Sequence, residues 1–149
     1  MSEAHTVVVP TDFSDASLAA LDWAQSFSKD GNVEVHCVTV VQQPTIYLPM
    51  MSGPAVDSMP ATDELVNITR QSLDKFIDKH MSEFGGSPIA TVLVGRPADE
   101  IADYAKQVDA DMIVIASHGH SRLAHLMLGS TAEGVVRQAE CPVLTVKSL

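Results

Sequence analysis

Basic residues are scarce in this chain: nine Lys and Arg stand against nineteen Asp and Glu, a formal net charge of −10 at pH 7. A field of that sign repels nucleic-acid backbones and anionic lipid surfaces, so neither is expected as a partner. Cysteine is nearly absent. Cys37 and Cys141 are too few and too scattered for a secreted disulfide scaffold and read as buried core thiols. Long apolar runs are missing too. A stretch such as Met112–Ala116 falls far short of the ~20 residues that span a bilayer, so no membrane insertion is expected. Met1-Ser2-Glu3-Ala4-His5 shows no basic region followed by an apolar run, and the expected location is cytoplasmic. Two phosphate-binding fingerprints are absent as well: there is no G-x-G-x-x-G and no G-x-x-x-x-G-K-[ST], hence no P-loop lysine.

What is present is a folded-protein balance, 46% hydrophobic and 19% charged over 149 residues, enough for a single domain over 1–149. Continuous apolar runs of strand length occur at 6–10, Val33–Val41, Ile89–Val94, Met112–Ala116 and 142–146. Helical patterns separate them. One starts at Ser14, a candidate N-cap, places Leu18, Leu21, Ala24 and Phe27 on its apolar face, and ends at Gly31 in a left-handed turn. Trp23 reads as a packing residue on that helix. A second spans about 61–84, with Leu65, Ile68, Leu73, Phe76, Ile77, Met81 and Phe84 near helical spacing. A third begins at Pro97 and turns Ile101, Ala102, Ala105 and Val108 inward; a fourth covers about 130–139. Between the second strand and the second helix lies a Pro- and Met-bearing excursion, about 42–60. Strands alternating with helices predict an α/β fold with a five-stranded parallel sheet and helices on both faces.

The strongest local signal leaves the fourth strand: Ala116-Ser117-His118-Gly119, then nine residues from His120 to Leu128, then Gly129-Ser130-Thr131. Gly119 allows close backbone approach to a ligand. Gly129, Ser130 and Thr131 put small residues and free N–H groups at a helix N-terminus, where amides and the helix dipole favour phosphate. A purely structural use also fits, with Ser130 capping the helix and Gly119 serving a turn. His118, His120 and His125 lack the spacing of a zinc helix. Arg122 is one of few cations in the loop, and Arg96 precedes the third helix. His5, His36 and His80 have no constellation around them in the sequence.

This segment resembles the nucleotide-binding signature of the universal stress protein family, G-x-x-G, nine residues, then G-[S/T]. The first glycine is Ala116 here, the smallest substitute, with a modest cost to binding expected. Val9-Pro10-Thr11-Asp12-Phe13-Ser14, Gly95-Arg96-Pro97-Ala98-Asp99-Glu100-Ile101 and Ala139-Glu140-Cys141-Pro142-Val143-Leu144 are similar to other parts of the family, so the likeness covers nearly the whole chain. The resemblance implies a Rossmann-like sheet in the order 3-2-1-4-5 and binding of ATP with Mg or Mn on its phosphates. It implies that Pro10 and Thr11 shape the pocket wall, that Asp12 lies near the ribose and adenine and reaches a metal through water, and that the Val40 backbone reads the adenine edge. Gly95 and Ala116 join the site, and Gly119, Gly129, Ser130 and Thr131 hold the phosphates. It implies a homodimer through the last strand, Val143 to Lys147, with a tetramer as an extension, and a nucleotide-dependent contact with a protein partner such as a transporter or regulator. Two alternatives stay open: a slow ATPase or ATP-using enzyme, and a dimeric scaffold that binds no nucleotide.

Overall fold

Apolar residues alternate along each strand between two cores, which is what a sheet covered on both faces requires. The structure, a computed structural model, describes residues 5–29, 31–42, 62–84, 87–118 and 128–147. Its elements in chain order are β1 (His5–Pro10), α1 (Asp15–Phe27), β2 (Val33–Val41), α2 (Thr62–His80), β3 (Ile89–Val94), α3 (Pro97–Gln107), β4 (Met112–Ala116), α4 (Ser130–Gln138) and β5 (Val143–Val146). The strands form one parallel sheet in the order β3-β2-β1-β4-β5, as anticipated.

Val7, Val9, Val35, Cys37 and Val114 face a core built with Ala20, Leu21 and Ala24 of α1 and Leu73, Phe76 and Ile77 of α2. Their neighbours Val8, Val38, Ile113 and Ile115 face the opposite core, with Ile101 and Ala105 of α3 and Ala132 and Val135 of α4. Helices α1 and α2 therefore cover one face and α3 and α4 the other.

Ser14 caps α1, its side chain accepting from the Ser17 N–H, and Gly31 takes φ 76° after the helix. Two expectations for α1 need correction. Phe27 is not on the buried face, and Trp23 is exposed; the two rings pack on each other with centroids 6.0 Å apart. Small Ala16, Ala20 and Ala24 bring the helix close to the sheet instead and leave no room there for large rings. The expected second helix also ends early, at His80 rather than Phe84, and Ile68 is exposed. The buried residues of α2, Leu73, Phe76 and Ile77, all lie in its second half, while its first half is exposed or half-buried. Residues 43–61, which hold all but the first residue of the excursion and the expected helix start at Ala61, and Gly85-Gly86 lie outside the described residues.

Cys37 is fully buried, and burial pushes its thiol up to about 12. Cys141 departs from the core-thiol expectation: it is only partly buried, beside the α3–α4 core, with its thiol raised by desolvation. His36 is also not isolated. It is buried, with Nε2 2.6 Å from Glu34 Oε1 and Nδ1 2.6 Å from the Tyr104 hydroxyl, which lies 3.0 Å from Thr91 Oγ1. This network satisfies the ring and ties α3 to β2 and β3.

Gly134 sets the approach of α4 to α3. A Cβ built there lies 2.5 Å from the Ala98 Cβ. Gly→Ala inside a helix ordinarily gains ~1 kcal/mol, but here overpacking costing about 1–3 kcal/mol opposes it. Gly134→Ala is expected to lower Tm in thermal unfolding, and Ala98→Gly added to it is expected to restore part of the loss. A rise in Tm on the single change would contradict this packing. Among the described residues, no helix is long and apolar enough to cross a membrane.

Candidate functional site

The strand order reverses between β1 and β4: β1 leads into α1 on one face and β4 into α4 on the other. The two connections diverge and open a crevice at the carboxyl ends of the strands, where ligands bind in open α/β sheets. A cleft of about 610 Å³ occupies it. Of the residues singled out in the sequence, Pro10, Thr11, Asp12, Val40, Ala116, Gly129, Ser130 and Thr131 line this cleft. Gly119 lies outside the described residues, with His120, Arg122 and His125. Gly95 is not among the lining residues. It holds φ 144° at the β3–α3 turn, its N–H donating to the Val41 carbonyl at 3.0 Å, so its backbone conformation accounts for the glycine.

On the β1 side, three buried hydroxyls build the wall. The Thr11 N–H donates to the Val38 carbonyl at 2.8 Å, and Thr11 Oγ1 lies 2.8 Å from Ser17 Oγ. Thr11 Oγ1 also accepts from the Phe13 N–H at 3.0 Å, while Ser17 Oγ donates to the Ser14 carbonyl at 2.7 Å. Asp12 is exposed to the cleft; its Oδ1 accepts from the Ser14 N–H at 3.0 Å and from the Ser14 hydroxyl. Among the described residues no buried side-chain polar atom lacks a partner, so this turn is held in shape before any ligand arrives. Asp12 serves both as turn former and as cleft wall.

On the β4 side, the Ser117 N–H donates to the Val146 carbonyl at 2.8 Å, and the Gly129 N–H donates to the Ser117 carbonyl at 2.6 Å. That closure is tight at Gly129. A Cβ on Gly129 would stand 3.0 Å from the Ser117 carbonyl oxygen and 3.2 Å from His118 Cα, both backbone. Gly129 is the N-cap of α4, with no side-chain cap bond; Ser130 is the first helical residue and not the cap. The first-turn N–H groups of α4 have no intrahelical partner, and Ser130, Thr131 and Ala132 face the cleft. His118 lines the same end, its Nδ1 3.0 Å from Ser117 Oγ. No Lys or Arg is among the described lining residues, so positive potential there comes from the helix terminus.

Several cleft residues were not singled out from the sequence as site residues. Leu65 and Thr69 of α2 line it, one helical turn apart, as do Pro97 and Ile101 of α3 and Phe13. The i, i+4 spacing of Leu65 and Thr69 was visible, but it reads equally as a core face. Phe13 at φ 66° carries no sequence signal, because a left-handed phenylalanine is an outlier that composition does not foretell.

A profile of the Universal stress protein family matches residues 3–147. Universal stress protein MJ0531 of Methanocaldococcus jannaschii is 37% identical over 141 residues, covering 95% of this chain and 81% of that protein. The solved structure of the M. jannaschii protein MJ0577 superposes with a TM-score of 0.78 at 24% identity, over 99% of both chains, a likeness of fold. A universal stress protein solved in complex with cAMP superposes with a TM-score of 0.69 at 27% identity, over 97% of this chain and 98% of that one.

Proposed function

The chain belongs to the universal stress protein family, and from that premise we propose that its cleft binds an adenine nucleotide, ATP with Mg or Mn, as the input of a stress-response regulator. The observation that carries this reading is the pairing of two chemically different ends in one cleft. At one end the β2 terminus offers the Val40 backbone beside the apolar Leu65; at the other the α4 N-terminus offers N–H groups without intrahelical partners and the Ser130 and Thr131 hydroxyls. β2 and β4 flank β1, two strand spacings or about 10 Å apart. That separation suits a base at one end and phosphates at the other. The related protein solved with cAMP supports the same ligand class.

The residues fit the nucleotide as follows. The Val40 backbone reads the base edge, Pro10, Thr11 and Asp12 border the base and ribose, and Ala116 lies against the ribose. Ser130 and Thr131 take the phosphates, with Gly129, whose own N–H is bonded to the Ser117 carbonyl, allowing their close approach. Among the described residues no group of three or more His, Cys, Asp or Glu is placed to hold a metal. A divalent cation would therefore ride on the phosphates, with Asp12 reaching it through water, and would offset the repulsion from an acidic chain. Binding energy shared between cleft and assembly gives regulation: a ligand that favours one arrangement of the protein shifts the population towards it. β5 is an outer strand of the sheet, and pairing of β5 with that of a second copy supplies the dimer on which such a shift acts. Contact with a downstream protein partner, a transporter or regulator, is the output.

The test is to purify the protein natively, release any bound small molecule, and quantify it against chain concentration. Near-stoichiometric ATP is expected. Absence of nucleotide, together with no uptake on add-back of ATP and Mg, would overturn the reading and favour a dimeric scaffold.

A further inference from the structure

We infer that the Phe13 ring is the surface on which the base of the bound nucleotide packs; this rests on the nucleotide reading of the cleft. Phe13 is the residue in the turn between β1 and α1 whose conformation is costly. Its φ of 66° lies in the left-handed region, where an L side chain is strained and glycine or asparagine is the ordinary choice. Within the turn itself Phe13 contributes its N–H, donated to Thr11 Oγ1 at 3.0 Å, and the ring reaches beyond the turn to Phe76. Strain of this kind persists where surrounding structure over-determines it, and such residues cluster at ligand sites.

The left-handed backbone aims the ring in a particular direction. It packs on Phe76 of α2 in a T-shaped pair, with centroids 5.5 Å apart and an interplanar angle of 74°. Phe13 is nevertheless 38% exposed and lines the cleft. The ring is thus buttressed by α2 while part of the residue stays open to the ligand. Helix α2 packs over β2 and β3, so leaning on it puts the ring on the β2 side of the crevice. Leu65, also on α2, and Val40 line that side, away from the α4 N-terminus. A flat heterocycle whose edge meets the β2 backbone has its face available to an aromatic wall, and stacking of a base on a ring is favourable for any base. The inference assigns affinity for the base to Phe13 and leaves its selection to the backbone at Val40.

The experiment is NMR on the full chain labelled at phenylalanine, titrated with AMP and with ATP plus Mg, alongside calorimetry on Phe13→Leu and Phe13→Gly. Glycine adopts φ 66° freely, so Phe13→Gly keeps the turn even where Phe13→Leu disturbs it. Nuclear Overhauser contacts between the adenine H2 or H8 and the Phe13 ring are expected. Both variants should lose about ten-fold or more in affinity for AMP. A wild-type chain that binds nucleotide with no such contact, or a Phe13→Gly chain that binds as tightly as wild type, would overturn the role of Phe13 and leave the nucleotide reading standing. A wild-type chain that binds no nucleotide would overturn both.

Discussion

Ser130→Asp is expected to weaken nucleotide binding by about 100-fold or more while leaving Tm unchanged or slightly raised. The two effects have opposite signs because the same helix terminus acts on both. Ser130 is the exposed first residue of α4, and its side chain takes part in no helix cap. A carboxylate in the first turn of a helix meets the positive end of the dipole, typically worth ~0.3–1 kcal/mol in favour of the folded state. In the cleft that carboxylate occupies the place proposed for phosphate. Two like charges ~4 Å apart repel by about 4 kcal/mol at an effective dielectric of 20, and even two-thirds of that is a 100-fold loss. No described lining Lys or Arg is available to absorb the added charge. Calorimetry with ATP and Mg, paired with thermal unfolding of the same samples, reads both signs. Undiminished binding would remove the phosphates from the α4 terminus; a large fall in Tm would mean that the terminus is tuned for packing instead.

Leu73→Ala is expected to produce the largest stability loss of any change considered, about 3–5 kcal/mol, or roughly 6–20 °C in Tm. Leu73 is fully buried, and within α2 only Leu73, Phe76 and Ile77 are buried. Three buried side chains, all in its second half, thus anchor a 19-residue helix. Removing one leaves a cavity and weakens that anchorage. The first half carries Leu65 and Thr69, which line the part of the cleft proposed for the base. A fall in nucleotide affinity is therefore expected to accompany the fall in Tm, in samples still fully folded at the assay temperature. A loss below ~1 kcal/mol would show that α2 is held by contacts other than those of its buried face.

The contrast between Leu73 and Ile68 shows how far the sequence could be read. Both lie on the helical period of α2, and periodicity reports which residues share a side of a helix. It does not report which part of that side meets the sheet. Ile68 is exposed while Leu73 is fully buried, a difference set by where the helix rests on the sheet and not by its period. The five strands were legible because each is a continuous apolar run, and their order followed from the family likeness. Trp23 and Phe27 misled because small alanines, not rings, set the distance between α1 and the sheet.

The cleft divides in the same way. Gly129, Ser130 and Asp12 were legible as cleft residues because a helix start and a turn restrict residue type at those positions. Gly95 carried the same signal for another reason, a backbone φ of 144°. Phe13, Leu65 and Thr69 were not legible, since apolar walls and single hydroxyls carry no spacing of their own. The His36 network is a further case: Glu34 and His36 are two residues apart on one strand, but Tyr104 arrives from α3, 68 residues on, and only the packed fold brings it to 2.6 Å.

The central claim is that this cleft is a nucleotide site. Its most direct measurement is isothermal calorimetry of the nucleotide-stripped chain with ATP and Mg, and with inorganic triphosphate as the control lacking base and ribose. The account expects one ATP per chain, bound far more tightly than triphosphate, because both ends of the cleft contribute. No heat of binding for ATP, or equal affinity for triphosphate, would contradict it.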